Sequence, residues 1–516
     1  MRAKKILWVD DEIDLLRSHL IFLQGKGYDV RGVSSGEEAI EVLEGENYDL
    51  VLLDETMPGR SGLETLQGIK EISANIPVIM ITKNEAEGLM EQAIGMKIDD
   101  YLLKPINPLQ IYSAVKRALE SHQIQAGAAS KDYLDVFRRM DDEVSRRPDW
   151  RRWSSIHQEL SVWDLEFDRF SGTGMDQIHI DLRKKCNIEF ARYIEEEYAG
   201  WLASEGGPEM SSEVIGKRVF PDLKSRRRVY FIVIDCMRFD QWLTVEDMLA
   251  PFYNIQRDAY YSILPTATPY SRNAIFSGLL PLEIQERHPR YWLERSKDEL
   301  SKNRYENELL VEQLKRAGLG DRTTKYVKIY NTEEANEIRK QVDSYREIDL
   351  VAMVFNFLDI LAHGRSQSDI LQEIAPNESA FRSLMRSWFT HSALFDILQR
   401  ISKHEATVII TTDHGSILGQ KASLVHGNRE TSTNLRYKFG ENINCDPKQT
   451  LMVRRPREFM LPAESPSKNY ILARENYYFV YPTRFHEYEK QYHGTFQHGG
   501  ISLEEMIVPC ITMTPR

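Results

Sequence analysis

The first 120 or so residues alternate short apolar runs with amphipathic segments. Residues 12–25 have the period of an amphipathic helix, and the apolar runs have the length and composition of strands buried on both faces. These runs lie at residues 5–9, 49–53, 77–81 and 101–103. Because helices alternate with parallel strands in doubly wound sheets, the pattern predicts an α/β domain over residues 1–121.

Residues 131–203 have helical periodicity throughout, with large apolar anchors among many charges. The anchors are Trp150, Trp153, Trp163 and Trp201, and Gly172 and Gly174 interrupt the pattern. We predict a bundle of about three helices over residues 122–205, with a helical stalk that lacks a compact core as the alternative. Residues 121–130, SHQIQAGAAS, are either a linker or the end of an extended helix.

The stretch GGPEMSS at residues 206–212 marks the next boundary. Beyond it, buried-strand runs return at residues 229–234, 349–355, 406–411 and 477–481, with helical segments between them. This alternation predicts a second, larger α/β domain over residues 206–516. The fold class is therefore an α/β multidomain protein with a helical middle.

Composition narrows the class of protein. The chain of 516 residues is long enough for several domains, and its net charge of -12 argues against a protein that coats nucleic acid by bulk electrostatics. Its four cysteines form no CxxC pair, which fits a reducing compartment and no cysteine-based zinc site. Acidic residues follow the first apolar run at once, unlike in a signal peptide, and no run reaches the ~18 apolar residues of a membrane helix. We expect a cytoplasmic protein.

Acidic residues follow the first and third predicted strands. Asp10 and Asp11 end the first strand, and Asp54 ends the third in LLDETMPGRSGLE. Thr82 ends the fourth strand, and Lys104 comes after the fifth. Since the carboxyl ends of parallel strands converge on one crevice, three carboxylates would repel each other there unless a cation lay among them. Oxygen ligands of this kind suit Mg²⁺.

This arrangement predicts phosphoryl transfer to a carboxylate. Asp54 is placed to attack a phosphoryl donor and become an aspartyl phosphate, while Mg²⁺ and Lys104 neutralise the oxygens of the transition state. Thr82 would hydrogen-bond the new phosphoryl group. Tyr101 lies three residues before Lys104, where its ring would move with the Thr82 loop.

The ordered set DD, DxxMPG, T and YxxKP resembles the receiver family of two-component signalling over about 120 residues. The resemblance implies a flavodoxin-like receiver with Asp54 as the phosphoacceptor. It also implies that Mg²⁺ is held by Asp10, Asp11, Asp54 and the backbone carbonyl of Thr56. An unrelated flavodoxin-like domain with coincidental acids is the alternative.

Acids and histidines also lie at the ends of the strand-like runs of residues 206–516. The candidates are Asp235 in VYFIVIDCMRFD, Asp359 and His363 in VAMVFNFLDILAH, Asp413 and His414 in TVIITTDHG, and His498 in GTFQHGG. Each fragment alone is weak, because Asp-x-x-x-His pairs and Asp-His-Gly turns are common. Together they suit two Zn²⁺ ions with mixed nitrogen and oxygen ligands.

A loop rich in proline and small polar residues, SILPTATPYSRNAIFSGLLP, lies between these fragments and is predicted to enter a helix near Arg272. A hydroxyl at a helix N-terminus between two metal ions would be deprotonated easily and would be able to attack phosphorus. Thr268 is our choice of nucleophile, with Thr266 and Ser271 as alternatives. Ordinary helix capping by Thr or Ser is the structural interpretation of the same loop.

The series Asp, Thr, Asp-x-x-x-His, Asp-His, His resembles the two-metal site of the alkaline phosphatase superfamily, in particular its PglZ branch. The resemblance implies an alkaline-phosphatase-like α/β domain with two bound Zn²⁺ ions. It assigns Asp359, His363 and His498 to one zinc, and Asp235, Thr268, Asp413 and His414 to the other. Arg272, His426 and His493 are candidates for contacts with phosphate, but no motif places them.

A receiver, a helical middle and a PglZ domain in one chain resemble the PorX-like response regulators of type IX secretion. The resemblance implies a sensor histidine kinase as phosphodonor, with the secretion motor and a sigma factor as further partners. Phosphorylation of Asp54 is expected to promote a homodimer and to control the zinc domain through the helical middle.

The leading hypothesis is a zinc-dependent phosphodiesterase that acts on oligonucleotides or cyclic nucleotides by family resemblance, with Thr268 as nucleophile. A phosphomonoesterase or phosphate-shifting mutase in the same site is one alternative. A non-catalytic zinc-containing module that binds a partner or nucleotide is another. A DNA-binding regulator is a third, but no basic recognition helix follows residue 121, so direct binding of duplex DNA is not expected.

Overall fold

The computed structural model describes residues 3–73, 76–83, 98–169, 175–204, 206–292, 303–364, 373–427, 434–463, 465 and 467–516. The chain divides into two compact units, Met1–Tyr133 and Leu134–Arg516. In the part of the chain that is described, no helix combines the length and the hydropathy needed to cross a bilayer.

The first unit is built on a five-stranded parallel sheet. Its strands are β1 (Lys5–Val9), β2 (Asp29–Val33), β3 (Leu50–Asp54), β4 (Val78–Thr82) and β5 (Asp100–Leu103), in the order β2-β1-β3-β4-β5. Its helices are α1 (Arg17–Gly25), α2 (Gly36–Gly45), α3 (Gly62–Ile72) and the beginning of α4 (Pro108–Ser145). Leu7 and Val9 pack on one face of the sheet, while Ile6 and Trp8 pack on the other. Burial on both faces explains why these strands are continuous apolar runs.

The predicted helix at residues 12–25 begins differently from the expectation. It starts as a 3₁₀ turn, Ile13–Leu16, and becomes α-helical only at Arg17. The predicted strands lie where they were expected, with ends that differ by one residue in β3–β5. The doubly wound fold of this unit is confirmed.

Three helices form the middle of the chain: α4, α5 (Trp150–Arg169) and α6 (Met175–Ala203). Helix α4 continues through residues 121–130, so this stretch is part of an extended helix rather than a linker. Trp153, Ile156 and Phe190 are buried in one core that also contains Tyr261 and Leu503 from later in the chain. The alternative of a stalk without a compact core is therefore wrong. The two glycines at residues 172 and 174 lie outside the described residues.

The second unit contains a six-stranded mixed sheet. Its strands are β6 (Arg228–Ile234), β7 (Tyr253–Tyr261), β8 (Thr324–Ile329), β9 (Leu350–Phe355), β10 (Ala406–Thr411) and β18 (Ile507–Pro515), in the order β7-β18-β10-β6-β9-β8. Strands β8, β9, β6 and β10 are parallel, and β18 is antiparallel to both β10 and β7. The four parallel strands therefore end at one edge, where the loops that follow β6, β9 and β10 meet.

Smaller elements surround this sheet. The helices are α7 (Phe220–Lys224), α8 (Phe239–Leu249), α9 (Thr268–Ser277), α10 (Pro281–Arg287), α11 (Glu306–Arg316), α12 (Thr332–Gln341), α13 (Phe357–Gly364), α14 (Glu378–His391), α15 (Ala393–Ile401), α16 (Phe485–Tyr492) and α17 (Leu503–Met506). The strands are β11 (Ile417–Gly419), β12 (Lys421–Leu424), β13 (Tyr437–Glu441), β14 (Thr450–Val453), β15 (Lys468–Ala473), β16 (Tyr477–Val480) and β17 (Thr495–Gln497).

Two features of this unit differ from the pattern-based expectation. The run at residues 477–481 forms β16, which pairs with β12 and lies outside the six-stranded sheet. Strand β18 was not predicted, although it pairs on both sides with β7 and β10. Its sequence contains Pro509, and proline argues against a central strand because it cannot donate a ladder hydrogen bond.

The core around Trp153 gives a stability prediction. Its side chain is buried and meets the Phe190 ring edge-on, with centroids 5.4 Å apart. Trp153→Ala is expected to lower the free energy of unfolding of the second unit by about 3–5 kcal/mol, because the cavity cannot fill completely. Denaturant unfolding followed by circular dichroism measures this. Val162→Ala, at an exposed position of the same helix, is the control with little effect. A loss below about 1 kcal/mol for Trp153→Ala would contradict the importance of this core.

Candidate functional site

The first unit brings three carboxylates together at the carboxyl edge of its sheet. Oxygens of Asp10, Asp11 and Asp54 all lie within 4.8 Å of one another, with Asp10 and Asp54 buried and Asp11 exposed. The Lys104 ammonium lies 2.8 Å from Asp10 Oδ2 and 2.9 Å from Asp54 Oδ2. The Lys104 ammonium thus compensates part of the negative charge of the three carboxylates.

Asp54 is set up as a reactive carboxylate. Its Oδ1 is buried and accepts no hydrogen bond from any described residue. Burial raises the pKa of Asp54, although Lys104 opposes this shift. Burial also disfavours the charged form of Lys104, but hydrogen bonds to Asp10 and Asp54 outweigh it and raise the Lys104 pKa. The free Oδ1 is the atom that is placed to accept a metal ion or a phosphoryl group.

The remaining predicted residues of this unit lie around the cluster. The Thr82 hydroxyl lies 3.4 Å from Glu55 Oε2, and the Thr56 hydroxyl donates to the same oxygen at 2.8 Å. The Thr56 side chain therefore points to Glu55, which is compatible with a metal ligand that offers only its backbone carbonyl. Tyr101 is half-buried on β5 and pairs with Met80 of β4, two residues before Thr82.

In the second unit, Asp235, Asp413 and His414 form a completely buried group whose ligand atoms lie within 4.8 Å of one another. Asp235 directly follows β6, and Asp413 follows the neighbouring parallel strand β10. Asp235 Oδ1 and Asp413 Oδ2 accept no hydrogen bond from the described residues. They lie 3.8 and 3.7 Å from His414 Nε2. Two buried carboxylate oxygens without donors, facing an imidazole nitrogen, match the donor set of a zinc site.

The protonation of His414 also suits a metal ligand. Its Nδ1 lies 3.1 Å from the Gly415 carbonyl oxygen, which makes Nδ1 the donor and leaves the Nε2 lone pair facing the carboxylates. Burial lowers the pKa of His414 to about 4. Burial, reinforced by Asp235, raises the pKa of Asp413 to about 6. A neutral imidazole is the form that binds metal.

A second pair of predicted ligands lies beside this group. His498 Nε2 is 3.5 Å from Asp359 Oδ1, and His498 Nδ1 is 3.3 Å from the Thr266 carbonyl oxygen. The His498 and His414 rings stack with centroids 4.1 Å apart. His363 lies on α13 one turn after Asp359, but its side chain is outside the described residues. The structure thus brings five of the six predicted Asp and His ligands into one region.

Thr268 is the hydroxyl nearest to this group among the three candidates. It is the first residue of α9, and its Oγ1 lies 3.0 Å from His414 Nε2. The Thr266 hydroxyl donates to the Gly500 carbonyl at 2.8 Å, and the Ser271 hydroxyl lies 2.9 Å from that of Ser262. The Thr266 hydroxyl is thus used in a bond to the backbone, and the Ser271 hydroxyl in a bond to another serine. Of the three candidates for the nucleophile, the geometry favours Thr268.

The helix after this loop begins at Thr268, four residues earlier than expected. The expectation of a start near Arg272 was wrong because Pro269 fits the first turn of a helix, where no backbone donor is needed. The correction places Thr268 at the helix N-terminus and Arg272 one turn inside.

Arg272 is buried and contacts three protein side chains through Nη1 and Nε. Its Nη1 lies 2.5 Å from Asp235 Oδ2 and 3.1 Å from Asn356 Oδ1, and its Nε lies 2.5 Å from Glu306 Oε1. It therefore fixes one oxygen of Asp235 and leaves the other directed at His414. His426 and His493 are exposed, and neither belongs to the clusters of possible metal ligands among the described residues.

The sequence did not predict the role of Glu306, a buried partner of Arg272. Glu306 Oε2 accepts a hydrogen bond from Tyr326 and forms an ion pair with the Lys328 ammonium at 3.1 Å. Burial opposes ionisation of Glu306, yet Arg272 and Lys328 hold its pKa below the usual range. Glu306 lies on a helix 34 residues after Arg272, and no motif in the sequence connects the two.

Comparison with known families matches three stretches of the chain. Residues 6–116 match the response regulator receiver domain. Residues 123–202 match the PorX response regulator linker domain, and residues 214–513 match the BREX system PglZ alkaline phosphatase-like domain. The predicted architecture of receiver, helical middle and alkaline-phosphatase-like domain is confirmed by these matches.

Individual proteins are similar over smaller shares of the chain. Transcriptional regulatory protein ResD of Bacillus subtilis (strain 168) is 35% identical over 168 residues, which are 32% of this chain and 68% of that protein. Alkaline phosphatase synthesis transcriptional regulatory protein PhoP of the same organism is 34% identical over 125 residues. These residues are 24% of this chain and 51% of PhoP. The solved structure of Vibrio cholerae chemotaxis protein CheY4 is 25% identical, covering 23% of this chain and 99% of that one, with a TM-score of 0.22.

The ion pair behind Asp235 gives a prediction for the metal-free protein. Glu306→Gln is expected to lower the free energy of unfolding by about 3 kcal/mol, because Arg272 and Lys328 lose a buried countercharge. Chemical unfolding in the presence of a chelator measures this without any contribution from metal. Glu312→Gln, which breaks a more exposed pair with Lys315 on the same helix, is expected to cost less than about 0.5 kcal/mol. Equal stabilities of the two variants would contradict the assigned role of Glu306.

Proposed function

The chain belongs to the family of PglZ alkaline phosphatase-like domains, joined to a response regulator receiver, and on that premise we propose that it is a zinc-dependent phosphodiesterase controlled by phosphorylation of Asp54. As a two-component response regulator it takes its phosphoryl group from a donor such as a sensor histidine kinase. The linker match points to type IX secretion partners.

The observation that carries the proposal is the pair of buried carboxylates with unsatisfied oxygens. Asp235 Oδ1 and Asp413 Oδ2 face Nε2 of His414, and the Thr268 hydroxyl is within hydrogen-bond distance of the same nitrogen. Buried like charges are costly unless a cation compensates them. Nitrogen and oxygen donors in a closed, buried group favour zinc over magnesium.

The proposed ligand sets share the carboxyl edge of the six-stranded sheet. One zinc would be held by Asp359, His363 and His498, and the other by Asp235, Thr268, Asp413 and His414. Bound there, the two ions supply Lewis acidity at the nucleophile and at the leaving oxygen. A magnesium ion in the receiver would be held by Asp10, Asp11, Asp54 and the Thr56 carbonyl.

Thr268, the N-terminus of α9 and Arg272 each have a role in the proposed hydrolysis. The Thr268 oxygen attacks phosphorus, and its bond to the phosphoryl group forms as the bond to the leaving alcohol breaks. The N-terminus of α9 favours the negative charge that develops on this oxygen. Arg272 holds Asp235 in the orientation that serves the site. The phosphorus bound to Thr268 still carries the second ester group of the substrate, and water then hydrolyses the threonine ester, which releases a phosphomonoester and restores the Thr268 hydroxyl.

Oligonucleotides and cyclic nucleotides are the proposed substrates, on family resemblance. A phosphomonoesterase activity and a zinc-containing module that only binds a nucleotide or partner are the alternatives. The proposed partners are a sensor histidine kinase, the type IX secretion motor, a sigma factor and a second copy of the chain after phosphorylation. Thr82 and Tyr101 would report the phosphoryl group to the receiver surface.

Turnover by hydroxyl variants tests the nucleophile. Thr268→Ala is expected to lower kcat for bis-p-nitrophenyl phosphate by at least about 10³-fold, because the attacking oxygen is lost. Ser271→Ala, which removes a hydroxyl three residues along α9, is the matched control and should keep turnover within about tenfold. The opposite order of the two variants would move the nucleophile to Ser271.

The same assay with p-nitrophenyl phosphate separates diesterase from monoesterase. Zinc binding without hydrolysis of either ester by the wild-type chain would favour the binding module.

Activation by a phosphoryl analogue tests control by the receiver. Beryllofluoride with Mg²⁺ is expected to double the mass measured by light scattering and to raise diester hydrolysis, because it mimics the aspartyl phosphate on Asp54. Asp54→Asn should remove both effects, whereas the exposed Asp14→Asn should keep them. Activity and mass that ignore beryllofluoride in the wild-type chain would contradict this control.

A further inference from the structure

We propose that the helical middle of the chain positions the zinc site directly, through a clamp formed by Arg183 and Asn187 of α6 on the turn at Glu504 and Glu505. This inference rests on the proposed function, since it concerns the same ligands, but its geometry is independent of which reaction is catalysed. The turn held by the clamp contacts the loops that carry both His414 and His498.

The first half of the clamp is a set of buried polar contacts between α6 and α17. Arg183 Nη1 donates to Glu504 Oε1 at 2.9 Å, and Asn187 Nδ2 donates to Glu504 Oε2 at 3.1 Å. Asn187 Oδ1 accepts a hydrogen bond from the Leu503 backbone N–H at 2.8 Å. Glu504 is 2% and Asn187 4% exposed, so the loss of one partner would leave a buried polar group without a hydrogen bond.

The second half of the clamp connects the turn at Glu504 and Glu505 to His414. The Glu504 carbonyl lies so close to Gly415 that a Cβ atom at this position would overlap it. The Gly415 N–H donates to the Glu505 carbonyl at 3.2 Å, and the Gly415 carbonyl accepts from His414 Nδ1. A shift of the turn must therefore move the group that orients the His414 ring.

The Glu505 side chain connects the same turn to the other histidine. Its Oε1 accepts from the Gly500 N–H at 2.9 Å, and the carboxylate is held by a buried ion pair with Arg436. The Gly500 carbonyl accepts from the Thr266 hydroxyl, and the Thr266 carbonyl faces His498 Nδ1. One turn thus holds the hydrogen-bond partner of each stacked histidine.

The arrangement makes the middle helices a part of the site and not a spacer. Arg183 also pairs with Asp164 of α5, whose carboxylate lies 2.8 Å from His179 Nε2. A change in the packing of α5 against α6 is therefore transmitted to Glu504 and to both histidines through hydrogen-bonded groups. This gives the helical middle a physical means to control metal binding and turnover.

Hydrogen exchange of the metal-free full-length chain tests the clamp. Asn187→Asp keeps the shape and the acceptor for Leu503 but sets a carboxylate against Glu504. We expect faster exchange in peptides that cover residues 411–417 and 498–506 than in the wild type. Arg192→Ala, which breaks an exposed pair with Glu189 on the same helix, should leave both peptides unchanged.

Metal affinity is the second readout, because a merely structural contact would not change it in a folded variant. Chelator competition should show zinc binding at least about tenfold weaker in Asn187→Asp, with an altered visible spectrum of the cobalt-substituted chain. Arg183→Lys, which keeps the charge, should be affected less. Wild-type exchange and wild-type zinc affinity in a folded Asn187→Asp chain would overturn the clamp.

Glu504→Gln serves if Asn187→Asp does not fold, since it keeps the shape of the turn and removes the charge that Arg183 pairs with. Faster exchange in the same two peptides supports the clamp, and unchanged exchange overturns it. If the wild-type chain binds no zinc, the proposed function fails, while the exchange result still decides the clamp.

Discussion

The second unit depends on the repulsion between carboxylates buried at the ends of neighbouring parallel strands. Asp235 and Asp413 follow β6 and β10, which lie side by side, so their charges are forced together. The protein compensates part of this charge with Arg272, which binds the outer oxygen of Asp235. The inner oxygens have no donor among the described residues and face His414 instead. Arg272 Nη1 also lies 3.8 Å from Asp413 Oδ2, so one protein cation serves two carboxylates. The negative charge that remains favours the binding of a further cation.

The receiver meets the same constraint with a different balance. Asp10 and Asp54 are buried at strand ends, but Lys104 contacts both, so one protein cation compensates much of the charge. A carboxylate cluster that is partly exposed at Asp11 suits a hard, hydrated ion such as Mg²⁺ and a ligand that comes and goes. The completely buried group of the second unit suits a resident ion. The donor sets therefore suit a transiently bound ion in the receiver and a resident ion in the second unit.

Much of this organisation was predictable, because it follows from local patterns. Parallel strands buried on both faces are continuous apolar runs, and a polar residue at the end of such a run marks the carboxyl edge of the sheet, as at Asp54 and Asp235. The start of α9 was predicted too late, because proline is common both in loops and in the first turn of a helix, and Pro269 was taken for a loop residue. The roles of Glu306 and Glu504 could not be predicted from the sequence. Glu504 meets its partner Arg183 across 321 residues, and a buried ion pair leaves no periodicity in the sequence.

The number of zinc ions bound to the purified chain decides whether the buried carboxylates hold metal. Elemental analysis of the full-length chain, purified without chelator and dialysed against metal-free buffer, should find about two zinc ions per chain. Asp413→Asn, which keeps the shape of the site and removes one charge, should retain about one, while Asp222→Asn at the opposite, amino end of the sheet should retain both. Wild-type protein that carries no zinc after this purification would contradict the account, because the buried carboxylates and His414 would then lack the affinity for zinc that is proposed for them.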